Sequence, residues 1–181
     1  LMKGWALRAL YAIGDLHLSL TANKSMEVCG PAWENYHARI EEGLSVLTED
    51  DTLILAGDTS WGIDLPEAEA DFRFLDRFPG KKYLIKGNHD YWWTTAAKFR
   101  AFCTEKGFTT LEVLHNNCAF YGDYALCGTR GWFFEEERSG THDEKVFRRE
   151  LIRLEASLKA AGNGAKLVFL HYTPKYQGYS C

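Results

Sequence analysis

The sequence predicts an α/β domain, and three observations predict it. Short apolar runs closed by glycine and a polar residue recur at "ALYAIGD", "TLILAGD" and "KYLIKGN", with "AKLVFLHY" near the end. Amphipathic stretches of helical period lie between them. At 181 residues the chain has the length of one domain, residues 1–181, large enough to bury a substantial core without staples.

The elements follow in order. "ALYAIGD" is short, apolar and bounded by glycine, the pattern of a buried strand. Trp33, Tyr36, Ile40, Leu44 and Leu47 then recur at helical spacing behind Pro31, which suits a first helical turn. "TLILAGD" is a second buried strand, and Phe72 and Leu75 follow Pro66 in the same way. "KYLIKGN" is a third strand, and Trp92 and Trp93 behind it read as aromatic core packing, with the wall of a substrate cleft as the other reading. The texture changes over residues 109–128. There "TTLEVLHNNCAFYGDYALCG" reads as a meander of short strands joined by Asn-Asn and Gly-Asp turns, without room for helices. Thr141 and Glu144 form a capping box ahead of Phe147, Leu151, Leu154 and Leu158, and Gly162 stands where that helix should stop. "AKLVFLHY" is the last buried strand.

Composition narrows the function classes. A net charge of −4 gives no global basic field, which argues against nucleic acid while leaving a local basic groove open. Five cysteines, none in a Cys-x-x-Cys pair, signal neither a disulfide framework nor a thiolate zinc site. No apolar stretch approaches the roughly 20 residues that span a bilayer, and the first residues lack a signal-peptide pattern. The expectation is a cytoplasmic protein without a membrane partner.

The chemistry sits at the strand ends. The first three runs deliver Gly14-Asp15-Leu16-His17, Gly57-Asp58 and Gly87-Asn88-His89-Asp90, and the last delivers His171. In open α/β sheets the carboxyl ends of the strands are where ligands bind. Asp15 and His17 are two apart, so in an extended segment both side chains point the same way, as a chelating pair would. Asp58 could then bridge two ions, with Asn88 and His171 on the second. Mixed oxygen and imidazole donors suit manganese, iron or zinc better than magnesium or calcium. Taken singly, each motif is equally a turn or a helix cap. Their order is the informative part.

D-x-H, then G-D, then G-N-H-D, then a later His resembles the motif series of the calcineurin-like metallophosphoesterases, across nearly the whole chain. The resemblance implies a layered α/β/β/α sandwich with a two-metal site at the strand carboxyl ends. It puts Asp15, His17 and Asp58 on one divalent ion and Asp58, Asn88 and His171 on the other. His89 takes the place of the family's non-ligand histidine, which stabilises the transition state or helps the leaving oxygen depart, with Asp90 orienting it. The implied reaction is hydrolysis of a phosphoester by a metal-bound hydroxide. Monoester, diester and nucleotide hydrolases share these motifs, so the substrate stays open.

Two departures qualify the resemblance. "GDTSWGID" carries Trp61 and Gly62 where the phosphoprotein-phosphatase branch has Asp-Arg, which argues against a protein Ser/Thr phosphatase. The family's closing Gly-His-x-His does not appear before Cys181. A missing C-terminal part is therefore expected, with one imidazole lacking at each ion and weak metal binding and activity in this form. An inactive interaction scaffold and a nuclease are the alternatives. The first is disfavoured by the retained ligands and the second by composition. Of the remaining residues, Arg130 in "CGTRGW" has the planar fork to grip a phosphate, a surface ion pair being the other reading. His115 reads as a hairpin turn, His37 and His142 as helix-surface residues, and Glu135-Glu136-Glu137 as a solvated acidic loop.

Overall fold

Side chains alternate across a strand, and here that alternation sorts the apolar residues into three layers. The computed structural model describes residues 8–132, 141–173, 175–176 and 179–180; the Glu135-Glu136-Glu137 run lies outside them. Strands β1 (Leu10–Ile13), β2 (Thr52–Leu55), β3 (Lys81–Leu84) and β4 (Leu111–Val113) form a parallel sheet in that order. A second sheet has the order β5 (Cys118–Tyr121), β6 (Tyr124–Thr129), β7 (Lys166–Leu170), with β5–β6 antiparallel and β6–β7 parallel. A short antiparallel pair, β8 (Lys175–Tyr176) and β9 (Tyr179–Ser180), follows. The helices are α1 (Tyr36–Leu44), α2 (Leu65–Asp76), α3 (Ala96–Lys106) and α4 (Thr141–Ala160).

Leu53, Leu55, Leu84, Leu111 and Val113 pack with Leu44, Phe72, Leu75, Phe99 and Phe102 from the first three helices. Ile54, Ile85 and Leu114 turn the other way and meet Leu126, Leu167 and Phe169 of the second sheet. Ala125 and Cys127, flanking Leu126, face Leu158 and Ala161 at the end of α4. Helices, sheet, sheet and helix thus stack as four layers, the predicted α/β/β/α sandwich. Among the described residues no helix is long and apolar enough to cross a membrane.

Several local expectations give way. The first helix is interrupted: Pro31–Trp33 form a 3₁₀ turn, and Asn35 at φ 52° starts α1 afresh at Tyr36, so Trp33 and Leu47 lie outside it. The first strand is an edge rather than a buried one, with Tyr11 39% and Ile13 42% exposed, because β2 pairs with it on one side only. β7 is half-buried for the same reason. The meander is divided between the sheets: β4 adds in parallel to β3, and only β5–β6, turning at Gly122, is a hairpin. Helix α3 has no counterpart in the sequence reading. Thr95 caps it by accepting from Lys98 N, and Gly107 closes it at φ 74°.

The end of α2 depends on a buried cation. Lys82 is fully buried, and its Nζ donates to Phe78 O (2.6 Å), Pro79 O (3.1 Å), Gly80 O (3.1 Å) and Thr110 Oγ1 (3.2 Å). Burial pushes the ammonium down to about 8, which leaves it mostly charged, and a full donor, at neutral pH. Lys82→Met keeps the apolar stem but strands those carbonyls. Its urea unfolding should show a loss of about 2–3 kcal/mol; an unchanged midpoint would mean that the turn closes without the ammonium.

Candidate active site

The loops after β1 and β2 stay paired beyond the strands. Asp15 N donates to Gly57 O (3.0 Å), His17 N to Asp58 O (2.9 Å), Leu18 N to Thr59 O (3.0 Å) and Trp61 N to Leu18 O (2.8 Å). Of the five non-glycine residues at positive φ among the described residues, three are Asp15 (57°), His17 (46°) and Asp58 (52°). Left-handed backbone is unfavourable for such residues and marks places where the surroundings enforce it. Asp15 and His17 do converge, but the extended segment inferred for them is absent. Their side chains meet because both backbones are bent.

Two glycines make the crossing possible. A Cβ on Gly57, at φ 97°, would come within 2.5 Å of His171 Nδ1 and 2.8 Å of the Gly87 Cα. A Cβ on Gly87 would run into the Asp58 carboxylate and amide. The glycines of the Gly-Asp and Gly-Asn pairs are thus required by close approach rather than by a turn alone.

Asp58 is buried at the centre. Its Oδ1 accepts from His89 N (2.8 Å), while Oδ2 lies 3.7 Å from His17 Nε2 and 3.8 Å from His171 Nε2. His17 Nε2 is also 3.7 Å from Asp15 Oδ1. These separations are too long for hydrogen bonds. Burial lowers the pKa of His17 and outweighs the pull of Asp58 and Asp15, so its imidazole is held neutral. His171 Nδ1 stands 2.9 Å from Ala56 O, and a carbonyl can only accept, which puts the proton on Nδ1. Its Nε2 then presents a lone pair 2.8 Å from Asn88 Oδ1 and toward Asp58. Carboxylate and carboxamide oxygens and imidazole nitrogens thus face a common point, a donor set that fits a cation. Among the described residues, Asp15, Asp58 and His171 offer ligand atoms that all lie within 4.8 Å of one another.

Asp90 does not hold His89. It is fully buried, and its Oδ1 accepts from Thr59 N (2.8 Å), Ser60 N (3.4 Å) and Trp92 Nε1 (2.9 Å), while Oδ2 accepts from Asp58 N (2.9 Å) and Gly87 N (2.7 Å). Burial pushes the carboxyl upward, and the amides of Gly87 and Thr59 pull it back. The inferred Asp90–His89 pair is thus replaced by a clamp on two loops, because the amides reach the carboxylate first. His89 is half-buried, with Nδ1 3.4 Å from Tyr91 Oη and its ring 5.8 Å from that of His17.

Other residues enter that the motifs did not single out. Trp61 stacks on His17 at 4.8 Å and 24° and lies 4.8 Å from the His89 ring, with Lys24 Nζ 3.2 Å over its face. Tyr36 Oη donates to His17 O (3.1 Å). Trp61, three residues after Asp58, was the available signal for this wall. Arg130 is half-buried beside the buried Glu150, 3.3 Å away, and stacks over Trp132 at 4.7 Å, not a surface ion pair. His115 is likewise no hairpin turn. It follows β4 where the chain crosses between sheets, with its ring 5.8 Å from Trp93.

A family model described as calcineurin-like phosphoesterase matches residues 9–181. Among solved structures, the phosphopantetheinyl hydrolase of Mycobacterium tuberculosis is similar at 16% identity and a TM-score of 0.58, over 92% of this chain and 68% of that one. That likeness shows the fold. A protein of unknown function from Aquifex aeolicus is similar at 19% identity and a TM-score of 0.48, over 83% of this chain and 75% of that one. No curated protein sequence matches.

The clamp is open to test. Asp90→Asn turns an NH₂ toward amides that need an acceptor, so thermal or urea unfolding should show a loss of roughly 3 kcal/mol. Metal binding should weaken with it, since the Asp58 amide loses its anchor. A variant with unchanged stability but slow turnover would return Asp90 to the role of orienting His89.

Proposed function

The chain belongs to the calcineurin-like phosphoesterase family, and from that premise we propose that it hydrolyses a phosphoester at the carboxyl ends of β1, β2, β3 and β7, using two divalent metal ions. The observation that carries this reading is the position of one Asp58 oxygen between two imidazoles, 3.7 Å from His17 and 3.8 Å from His171. In this reading Asp15, His17 and Asp58 hold the first ion, and Asp58, Asn88 and His171 the second. Manganese, iron or zinc matches the mixed oxygen and imidazole donors. The ions supply Lewis acidity for the phosphoryl oxygens and a water acidic enough to ionise near neutrality.

The chain's own residues supply the rest. Asp15 and Asp58 bring negative charge that balances two cations, and the neutral His17 offers a lone pair without first losing a proton. Ala56 O fixes the His171 tautomer so that Nε2 faces the site. The His89 ring stands beside those of His17 and Trp61, where it can hold a proton for the departing oxygen. Trp61 walls that side and limits water.

Metal analysis combined with hydrolysis of aryl phosphate monoesters and diesters tests the reading. Chelation should abolish turnover, and Asp58→Asn should lower the content of both ions together with activity. His89→Asn should keep its metal while turnover falls by about 10²–10⁴-fold. Unchanged metal content in Asp58→Asn, or near wild-type turnover in His89→Asn, would reject the respective assignment.

A further inference from the structure

A cavity of about 600 Å³ opens beside the carboxyl ends of β3 and β6, between the start of α3 and the side of α4. Its chemistry is opposite in sign to that of the carboxylate cluster. Lys86, Arg130, Arg149 and Arg153 all line it, together with Trp93 and His115. One buried carboxylate, Glu150, answers this charge. Its Oε1 lies 2.6 Å from Arg153 Nη1 and 3.3 Å from Arg130 Nη2, and its Oε2 accepts from Thr129 Oγ1 (2.6 Å). Lys86 and Arg149 have no carboxylate partner among the described residues. Of the four buried side-chain polar atoms without a hydrogen-bond partner among those residues, two are donors on this wall: Arg130 Nε and Trp93 Nε1. Buried donors left unpaired beside uncompensated cations are the complement of an anion with several acceptor oxygens.

The cavity adjoins the proposed catalytic centre through the backbone. Lys86 precedes Asn88 by two residues, at most about 7 Å of chain. On the second sheet Arg130 O accepts from Tyr172 N (2.8 Å), so Arg130 ends β6 beside the strand that delivers His171. We propose that this cavity binds a phosphate-class anion, and that the anion is a second, non-reacting phosphate of the substrate. The substrate is then a phosphoester whose remainder carries another phosphate several bonds from the scissile one. The assignment to substrate rests on the phosphoesterase reading; the anion site itself does not.

Two measurements keep these apart. Chelator-treated protein is titrated calorimetrically with inorganic phosphate, which reads the cavity with the metals removed. Wild type should bind, and the double variant Lys86→Met, Arg149→Ala should bind at least about tenfold more weakly. Neither residue pairs with Glu150, so its contacts are left in place. Hydrolysis of butane-1,4-diol bisphosphate is then compared with that of butyl phosphate by the metal-loaded protein. The ratio of kcat/KM should favour the bisphosphate, and should fall about tenfold in the double variant. Phosphate binding without turnover of either compound would retain the anion site and reject the catalytic reading. Turnover of both with equal kcat/KM, or phosphate binding that is absent or unchanged in the double variant, would overturn the cavity proposal.

Discussion

The Asp90 carboxylate is the contact on which the site depends. It gathers the amides of Asp58, Thr59 and Gly87 and the indole of Trp92 from loops that follow two different strands. Burying a carboxyl group is unfavourable unless donors surround it, and here they do. The result is that Asp58 sits at φ 52°, and its side chain occupies space that any Cβ on Gly87 would need. His89 N then donates to Asp58 Oδ1 and ties the carboxylate to the next loop. Removing the clamp would free the strained position of Asp58. The strain is local, and the core around Trp92, Phe72 and Phe99 is what resists it.

The two imidazoles beside Asp58 arrive from different sheets. His17 follows β1, whose loop is zipped to that of β2, while His171 follows β7 in the second sheet. Their separation is therefore set by how the sheets pack on Ile54, Ile85, Leu114 and Leu126. Protein interiors are close-packed, so a methylene lost or gained in that layer would be felt in the site. A shift between the sheets moves His171 relative to Asp58 before it changes any loop. Packing and chemistry share one coordinate here.

Much of this was legible in the chain, for identifiable reasons. Strand ends carry a local signature, an apolar run followed by glycine and a ligand-type residue, and β2 and β3 lie where that signature put them. Helix α3 was not legible because Ala97 and Ala101 lie off the face that Phe99, Phe102 and Cys103 share and blur its period; Thr95 and Gly107 mark its ends. β4 was grouped with the following hairpin because an Asn-Asn turn looks the same whether the next strand pairs back or crosses to another sheet. Parallel pairing is a non-local fact. Asp90 was assigned to the nearest titratable neighbour because sequence shows side chains, while its true partners are backbone amides.

The site and the basic cavity are best understood together. Asp15 and Asp58 present like charge to any phosphate until cations stand between them, and unpaired carboxylates alone would repel the substrate class proposed for them. Lys86, Arg149 and the half-compensated Arg130 and Arg153 lie on the far side of the same edge, with opposite sign. Fields from both regions act over a distance comparable with the Debye length of about 8 Å at physiological salt. A net charge of −4 therefore conceals a polar arrangement: acidic where metal ions are proposed, basic where the rest of an anionic substrate would lie. A monoanionic ester would use only the first region. A molecule with two separated phosphates would engage both, and that orientation would put a particular one of them at the proposed metal ligands.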